Sequence, residues 1–198
     1  MAQIMSTAAL VYRTGGDYTA EYVQRLADSI RLYAPEKTEI VCLTNDASIS
    51  TLVDRVIELD DLPGWWSKLN LFKHLDQAVY FDLDTVIRGD ISPLFLYDHT
   101  FTMLRDFYHP KFPASGVMAW QGDYSYLHSQ WSMGKEPEYK KTGNWGDQGW
   151  LADELSVKPE LFQELFPETF ASYKVGYTSE PVICFHGKPR PHNVGWKV

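Results

Sequence analysis

Two cysteines are all the chain carries among its 198 residues. Neither a disulfide framework nor a four-cysteine metal site can be built from them. Cys42 and Cys184 each stand in an apolar run, Ile40-Val41-Cys42-Leu43 and Val182-Ile183-Cys184-Phe185, and that setting predicts two buried free thiols. Long apolar stretches are missing too: nothing approaches the ~18 consecutive apolar residues that suggest a membrane span. The opening Met-Ala-Gln-Ile-Met-Ser-Thr has neither a basic region nor a long apolar one, so no leader and no integral membrane segment are expected, and the expected compartment is the cytoplasm. Positive charge is scarce, with 18 Lys and Arg against 26 Asp and Glu and a net charge of −8. That balance disfavours a sequence-independent grip on nucleic acid, while leaving room for a local basic pocket. Three motifs are absent as well. There is no Gly-x-Ser-x-Gly elbow, no Gly-x-Gly-x-x-Gly after the first strand, and no Gly-Lys-Ser/Thr phosphate loop.

What is present is ordinary globular composition, 44% hydrophobic and 22% charged, and the length suits one domain over residues 1–198 with one substantial core. Ala8 to Tyr12 reads as a buried strand ending in Arg13-Thr14-Gly15-Gly16-Asp17. Tyr18 to Tyr33 has helical spacing, with Tyr22, Leu26, Ile30 and Tyr33 on one stripe and Pro35 as its stop. Glu39 to Leu43 is a second strand, and Val56 to Leu59 a weak third. Lys68 to Leu75 reads as a helix before the strand that begins at Gln77. Strand, helix, strand is the pattern of a parallel α/β sheet. A short strand ends at Met118-Ala119-Trp120, Gly146 to Leu155 opens a helix, and Val182 to Phe185 is a last apolar strand. No repeat and no linker interrupts this order.

The chemistry concentrates at Val79-Tyr80-Phe81-Asp82-Leu83-Asp84. In extended chain, residues two apart face the same side, so both carboxylates repel unless positive charge lies between them. A hard divalent cation, Mn²⁺ or Mg²⁺, meets that need; two solvated acids at a strand end would look the same in sequence. His186 follows the last apolar strand, where a neutral imidazole could complete a site with two carboxylates, in a mix that suits Mn²⁺. Lys188 and Arg190 supply the charge a diphosphate would need. Lys68 reads as a phosphate contact or a solvated helix residue. Ser115 and the pair Asp147-Gln148 read as partners of sugar hydroxyls or as caps and turns. Aromatic residues reach 15%, with seven tryptophans, which serve a bulky core or stack on sugar faces.

From about Ala8 to Pro191 the chain resembles the GT-A fold glycosyltransferases, family 8 and its small relatives. An opening strand and a tyrosine-bearing loop are matched by Tyr12 to Tyr18. The Asp-x-Asp strand end is matched by Asp82-Leu83-Asp84, and the Asn-Ser-Gly-Val segment in part by Ala114-Ser115-Gly116-Val117. The Asp-Gln-Asp element is matched in part by Asp147-Gln148-Gly149. The closing His-x-Gly-x-x-Lys-Pro-Trp element resembles Cys184 to His192. The departures are Ala114 for Asn, Gly149 for the second Asp, and Cys184 at the family histidine, with His186 two residues on.

The resemblance implies an α/β GT-A domain with a mainly parallel central sheet flanked by helices. It implies a metal-dependent transfer of a sugar from a UDP-sugar with retention of configuration. Asp82, Asp84 and His186 would hold Mn²⁺, with Cys184 the alternative third ligand. Tyr12, Thr14, Tyr18, Lys68, Ser115, Gly187 and Lys188 would bind the donor, Tyr18 by stacking on the base. Asp147 and Gln148 would steady the reacting sugar. The acceptor, a lipid-linked glycan, a protein or a small molecule, would meet aromatic residues such as Trp65, Trp66 or Trp145. A nucleotide-sugar hydrolase or nucleotidyltransferase would use the same acids, and an inactive nucleotide-sugar-binding relative would keep them.

Overall fold

The structure, a computed structural model, describes residues 5–131 and 146–196. Ten strands are described: β1 Thr7–Tyr12, β2 Glu39–Thr44, β3 Arg55–Glu58, β4 Gln77–Phe81, β5 Val86–Ile87, β6 Phe101–Arg105, β7 Pro113–Gln121, β8 Glu160–Leu161, β9 Phe170–Ser172 and β10 Val182–Cys184. The described α-helices are α1 Ala20–Tyr33, α2 Asn70–His74, α3 Ser92–Leu96, α4 Tyr126–Ser129, α5 Gly146–Glu154 and α6 Phe162–Leu165. Seven strands form one sheet in the order β3-β2-β1-β4-β7-β6-β8, with β7 alone running against the others.

The apolar runs of β1, β2 and β4 are continuous because both faces of the sheet are covered. Along β1, Ala8, Leu10 and Tyr12 face the core built with α1, while Ala9 faces the core built with α2 and α5. The same alternation sends Val79 and Phe81 of β4 to the first core and Ala78 and Tyr80 to the second. Helix α1 presents Tyr22, Val23, Leu26, Ala27 and Ile30 to the sheet, and it ends at Tyr33, two residues before Pro35. The segment expected as one helix after Ser67 divides in two. A 3-10 turn over Gly64–Leu69 carries Lys68, and α2 follows it. Both cysteines are buried free thiols; burial pushes Cys42 up to about 12. Among the described residues, no helix is long and apolar enough to cross a membrane.

Two features deliver the site. The sheet order changes direction between β1, which leads outward to β2, and β4 on its other side; such a switch point opens a crevice at the strand C-termini. The second feature is a small separate sheet, β5-β10-β9. Strand β10 pairs antiparallel with β5, Ile183 opposite Val86 and Val182 opposite Ile87. Because β5 begins two residues after Asp84, this pairing lays the segment that follows β10 alongside the acids.

The chain from Asp82 to Thr85 is a turn, closed by the Thr85 N–H donating to the Asp82 carbonyl at 2.9 Å. Extended chain, the expected geometry here, is therefore not what brings the two acids together. Arg25 of α1 clamps the turn, its guanidinium donating to the carbonyls of Leu83 at 3.1 Å and Thr85 at 3.3 Å. Replacing Arg25 with Met keeps the apolar stem and removes both donors. We expect a loss on the order of 2–3 kcal/mol, since buried carbonyls bonded to a charged donor would be left unpaired. Urea unfolding measures it, and an unchanged midpoint would show that the clamp is dispensable.

Candidate active site

Two adjoining chambers open at the switch point. The first, about 450 Å³, is lined by the end of β1 and the following Thr14 to Asp17 loop on one side, and by Tyr80 and Asp82 on the other. The second, about 320 Å³, holds Asp84, Ser115, Asp147, Gln148, Cys184 and His186. Tyr18, Trp65, Lys68, Asp82 and Arg190 line both.

Each acid of the turn has one cation and one tyrosine. Asp82 accepts from the Tyr80 hydroxyl at 2.6 Å and pairs with the Lys68 ammonium at 2.9 Å. Asp84 accepts from the Tyr18 hydroxyl at 2.9 Å and from the Arg190 guanidinium. Lys68 also reaches Asp147 at 3.1 Å and the Ser115 hydroxyl at 3.2 Å, and Ser115 in turn donates to Asp147. One buried ammonium therefore ties the strand-end acid to the first turn of α5. Burial opposes charge on Lys68, but Asp147 and Asp82 outweigh it and hold its pKa above the usual lysine range. Asp84 goes the other way: burial first and the Asp82 charge second raise its carboxyl to about 6, despite Arg190. Burial and then Asp84 likewise push the Tyr18 hydroxyl up.

The other expected site residues divide into those that face the chambers and those that do not. Thr14 lines the first chamber and exchanges two bonds of 2.9 Å with Asn45, which joins the ends of β1 and β2. Gly187 lines the second with φ +70, a left-handed turn that favours glycine. Tyr12 lines neither; its ring is 5% exposed and packs in the core with α1. Trp66 is likewise a core residue, 1% exposed, packed on Trp131. Trp65 is the half-exposed neighbour that faces the chambers, and Trp145 lies outside the described residues. Lys188 opens onto a different, outer cavity beside Asn193 and His192. Arg190, two residues on, is the cation that reaches the acids, and it also covers the Tyr18 ring at 4.7 Å. Tyr18 thus contacts both Asp84 and Arg190 while lining both chambers. His186 lines the second chamber, but its Nε2 bonds the Ser172 hydroxyl at 2.7 Å and its ring stacks on Phe107. Burial and then Lys174 lower its pKa. Cys184 is buried beside the acids, and burial, then Asp84 and Asp82, raise its thiol.

Sequence reading missed Tyr80. The signal was there, since an i, i+2 relation to Asp82 places it on the acid's side of the strand. It also missed Gly146, whose φ of +61 and contact with Trp65 leave no room for a side chain; a Cβ there would sit 2.6 Å from the indole Nε1. Gly146→Ala should displace Trp65 and cost on the order of 1–3 kcal/mol, from a strained backbone. Thermal unfolding and Trp fluorescence of the variant check this, and an unshifted spectrum would rule the contact out.

Asp84 gives a pH test. A carboxyl raised in the folded state contributes stability that is complete below the unfolded pKa of ~3.9 and is lost as pH climbs through about 6. In EDTA, wild type should therefore lose on the order of 2–3 kcal/mol relative to Asp84→Asn between those limits. Urea unfolding from pH 4 to 7 reads it. A wild type that gains on the variant would mean that Arg190 outweighs burial at Asp84.

No protein-family profile and no curated protein sequence matches the chain. Solved structures do. The glycosyltransferase GlyE of Streptococcus pneumoniae TIGR4 superposes with a TM-score of 0.64 at 13% identity, over 96% of this chain and 57% of that one. The galactosyltransferase LgtC in complex with donor and acceptor sugar analogues superposes at 0.63 and 13% identity, over 93% and 88% of the two chains. An LgtC structure bearing an active-site glutamine-to-glutamate substitution gives 0.63 at 12%, over 97% and 91%. The chain thus spans a little over half the length of GlyE and most of that of LgtC. Its fold is the GT-A fold of glycosyltransferases.

Proposed function

We propose that the protein is a metal-dependent glycosyltransferase that moves a sugar from a nucleoside diphosphate sugar, with UDP the expected nucleotide, to an acceptor hydroxyl. The observation that carries the reading is the acid turn, two aspartates at a core strand's end facing a crevice on the GT-A sheet's switch point. That similar folds belong to glycosyltransferases, one of them solved with donor and acceptor sugar analogues, supports it.

The donor set is compatible with a hard divalent ion. Asp82 and Asp84 face one chamber, where burial first and the Asp82 charge second raise the Asp84 carboxyl. Among the described residues no group of three His, Cys, Asp or Glu side chains stands ready to hold a metal. Among them the donor set is thus an open pair of acids rather than a closed all-protein cage of the structural zinc kind. It suits Mg²⁺ or Mn²⁺, which is bound by one or two carboxylates and completes its shell with substrate phosphates and water. His186 would have to leave Ser172 to join it. When bound, such an ion would neutralise charge that develops on the leaving diphosphate.

The chain's own residues do the rest. Thr14 to Asp17 and the end of β1 would receive the nucleotide in the larger chamber. Ser115, Asp147 and Gln148 would face the donor sugar in the smaller one. Lys68 holds Asp147 in place, and a fixed carboxylate facing the donor sugar would stabilise the positive charge that grows on its ring. Asp147 and Asp82 are tied to Lys68, and Asp84 to Arg190, so none is poised as a free base. In this reading the departing phosphate accepts the acceptor's proton, with attack on the same face and retention of configuration. Trp65, half-exposed and lining both chambers, would stack on either sugar.

Calorimetric titration of UDP with and without Mn²⁺ tests the reading. Binding should require Mn²⁺, and Asp84→Asn should weaken it by a hundredfold or so, about 3 kcal/mol, while the variant still unfolds cooperatively. Donor affinity unchanged by that substitution would sink the assignment. UDP-sugar turnover that needs no acceptor would mark a hydrolase instead.

A further inference from the structure

Arg190 is held in a way a simple phosphate contact does not require. Its guanidinium donates to Asp84, reaches Asp17 at 3.4 Å and lies over the Tyr18 ring at 4.7 Å. Only 17% of the side chain is exposed, against 3% for Asp84. Its Nε is buried without a hydrogen-bond partner. Both the guanidinium and the Tyr18 hydroxyl bond the same oxygen of Asp84, Oδ2. A divalent cation seated on Asp84 would contend for that oxygen.

On the metal-dependent reading above, we infer that Arg190 and the divalent cation exchange at Asp84, and that the donor's diphosphate is what makes the exchange favourable. A metal arriving alone must strip a buried guanidinium of its carboxylate, and a desolvated unpaired charge is costly. A diphosphate arriving alone meets three carboxylates, Asp82, Asp84 and Asp147, against two cations already engaged with them. Arriving together, each removes the other's obstacle. The metal takes Asp84, and the released guanidinium finds phosphate oxygens, which suit its planar fork as carboxylate did. Room for the movement exists, since Arg190 lines both chambers. Pro189 and Pro191 on either side restrict the backbone, so the side chain carries the motion. Arg190 is thus a coupling residue: it makes metal and donor bind as a pair.

The test is Mn²⁺ affinity by EPR titration, with and without saturating UDP, in wild type and Arg190→Gln. Wild type should bind Mn²⁺ weakly alone and at least about tenfold more tightly with UDP, within the usual range of coupling between ligands. Arg190→Gln should bind Mn²⁺ alone at least about fivefold more tightly than wild type, and UDP should then add little. Asp17→Asn, which loosens the outer hold on the guanidinium and leaves the acids intact, should shift Mn²⁺ affinity in the same direction by less. It serves as the deciding variant if Arg190→Gln does not fold. Mn²⁺ affinity in both variants equal to or below wild type overturns the exchange while leaving metal-dependent donor binding standing. No Mn²⁺ binding by wild type even with UDP overturns both.

Discussion

Two carboxylates placed at the end of a core strand repel each other, and burial makes Asp84 costly to ionise. The rest of the site is arranged around that constraint. Asp84 shows it directly: it touches a guanidinium, yet burial and the neighbouring Asp82 still raise its carboxyl to about 6. Removing Asp84 would leave Arg190 only the longer contact with Asp17, whereas removing Asp82 would leave Lys68 its bond to Asp147. Lys68 is shared by Asp82 and Asp147, and Arg190 by Asp84 and Asp17, so a further charge that enters acts on several partners at once.

The cations lie far apart in the chain, and the fold explains how each arrives. Lys68 is carried by the 3-10 turn ahead of α2 and is fixed from the far side by Asp147 of α5. Arg190 arrives because β10 pairs with β5. That pairing amounts to two register positions, little area, yet it decides where residues 184–190 run. A long-range contact of this kind must repay the entropy of closing a loop of nearly a hundred residues. The aromatic stacking of Phe185, Tyr173 and Trp196 behind the small sheet supplies apolar burial for it.

Much of the frame was legible before the structure. The runs at Ala8, Glu39 and Gln77 are apolar without alternation, because both sheet faces are covered, and the stripe on Tyr22, Leu26 and Ile30 marked α1's inner face. The Asp-x-Asp element marked the crevice. Other parts could not be read locally. The two- and three-residue strands of the small sheet have no periodicity to detect. β6 was passed over, since Phe101-Thr102-Met103-Leu104-Arg105 announces itself only through its pairing with β7. Adjacent tryptophans 65 and 66 look alike in sequence, and a 3-10 turn sends one outward and the other into the core. Lys188 and Arg190 look equivalent too; the path of the loop after Gly187 puts only Arg190 at the acids.

The acid turn shows why a motif can point to the right residues for an incomplete reason. Extended geometry would have set Asp82 and Asp84 side by side with equal partners. In the turn they hold different ones, Lys68 with Tyr80 and Arg190 with Tyr18, and differ in exposure, 29% against 3%. Inequivalent acids respond differently to an incoming ion. The more exposed Asp82 keeps its fixed, buried lysine, while Asp84 can change partners only by releasing a side chain that reaches both chambers. On the proposed metal-dependent reading, the asymmetry would put the coupling between metal and donor at Asp84 and leave Asp82 as the constant part of the site.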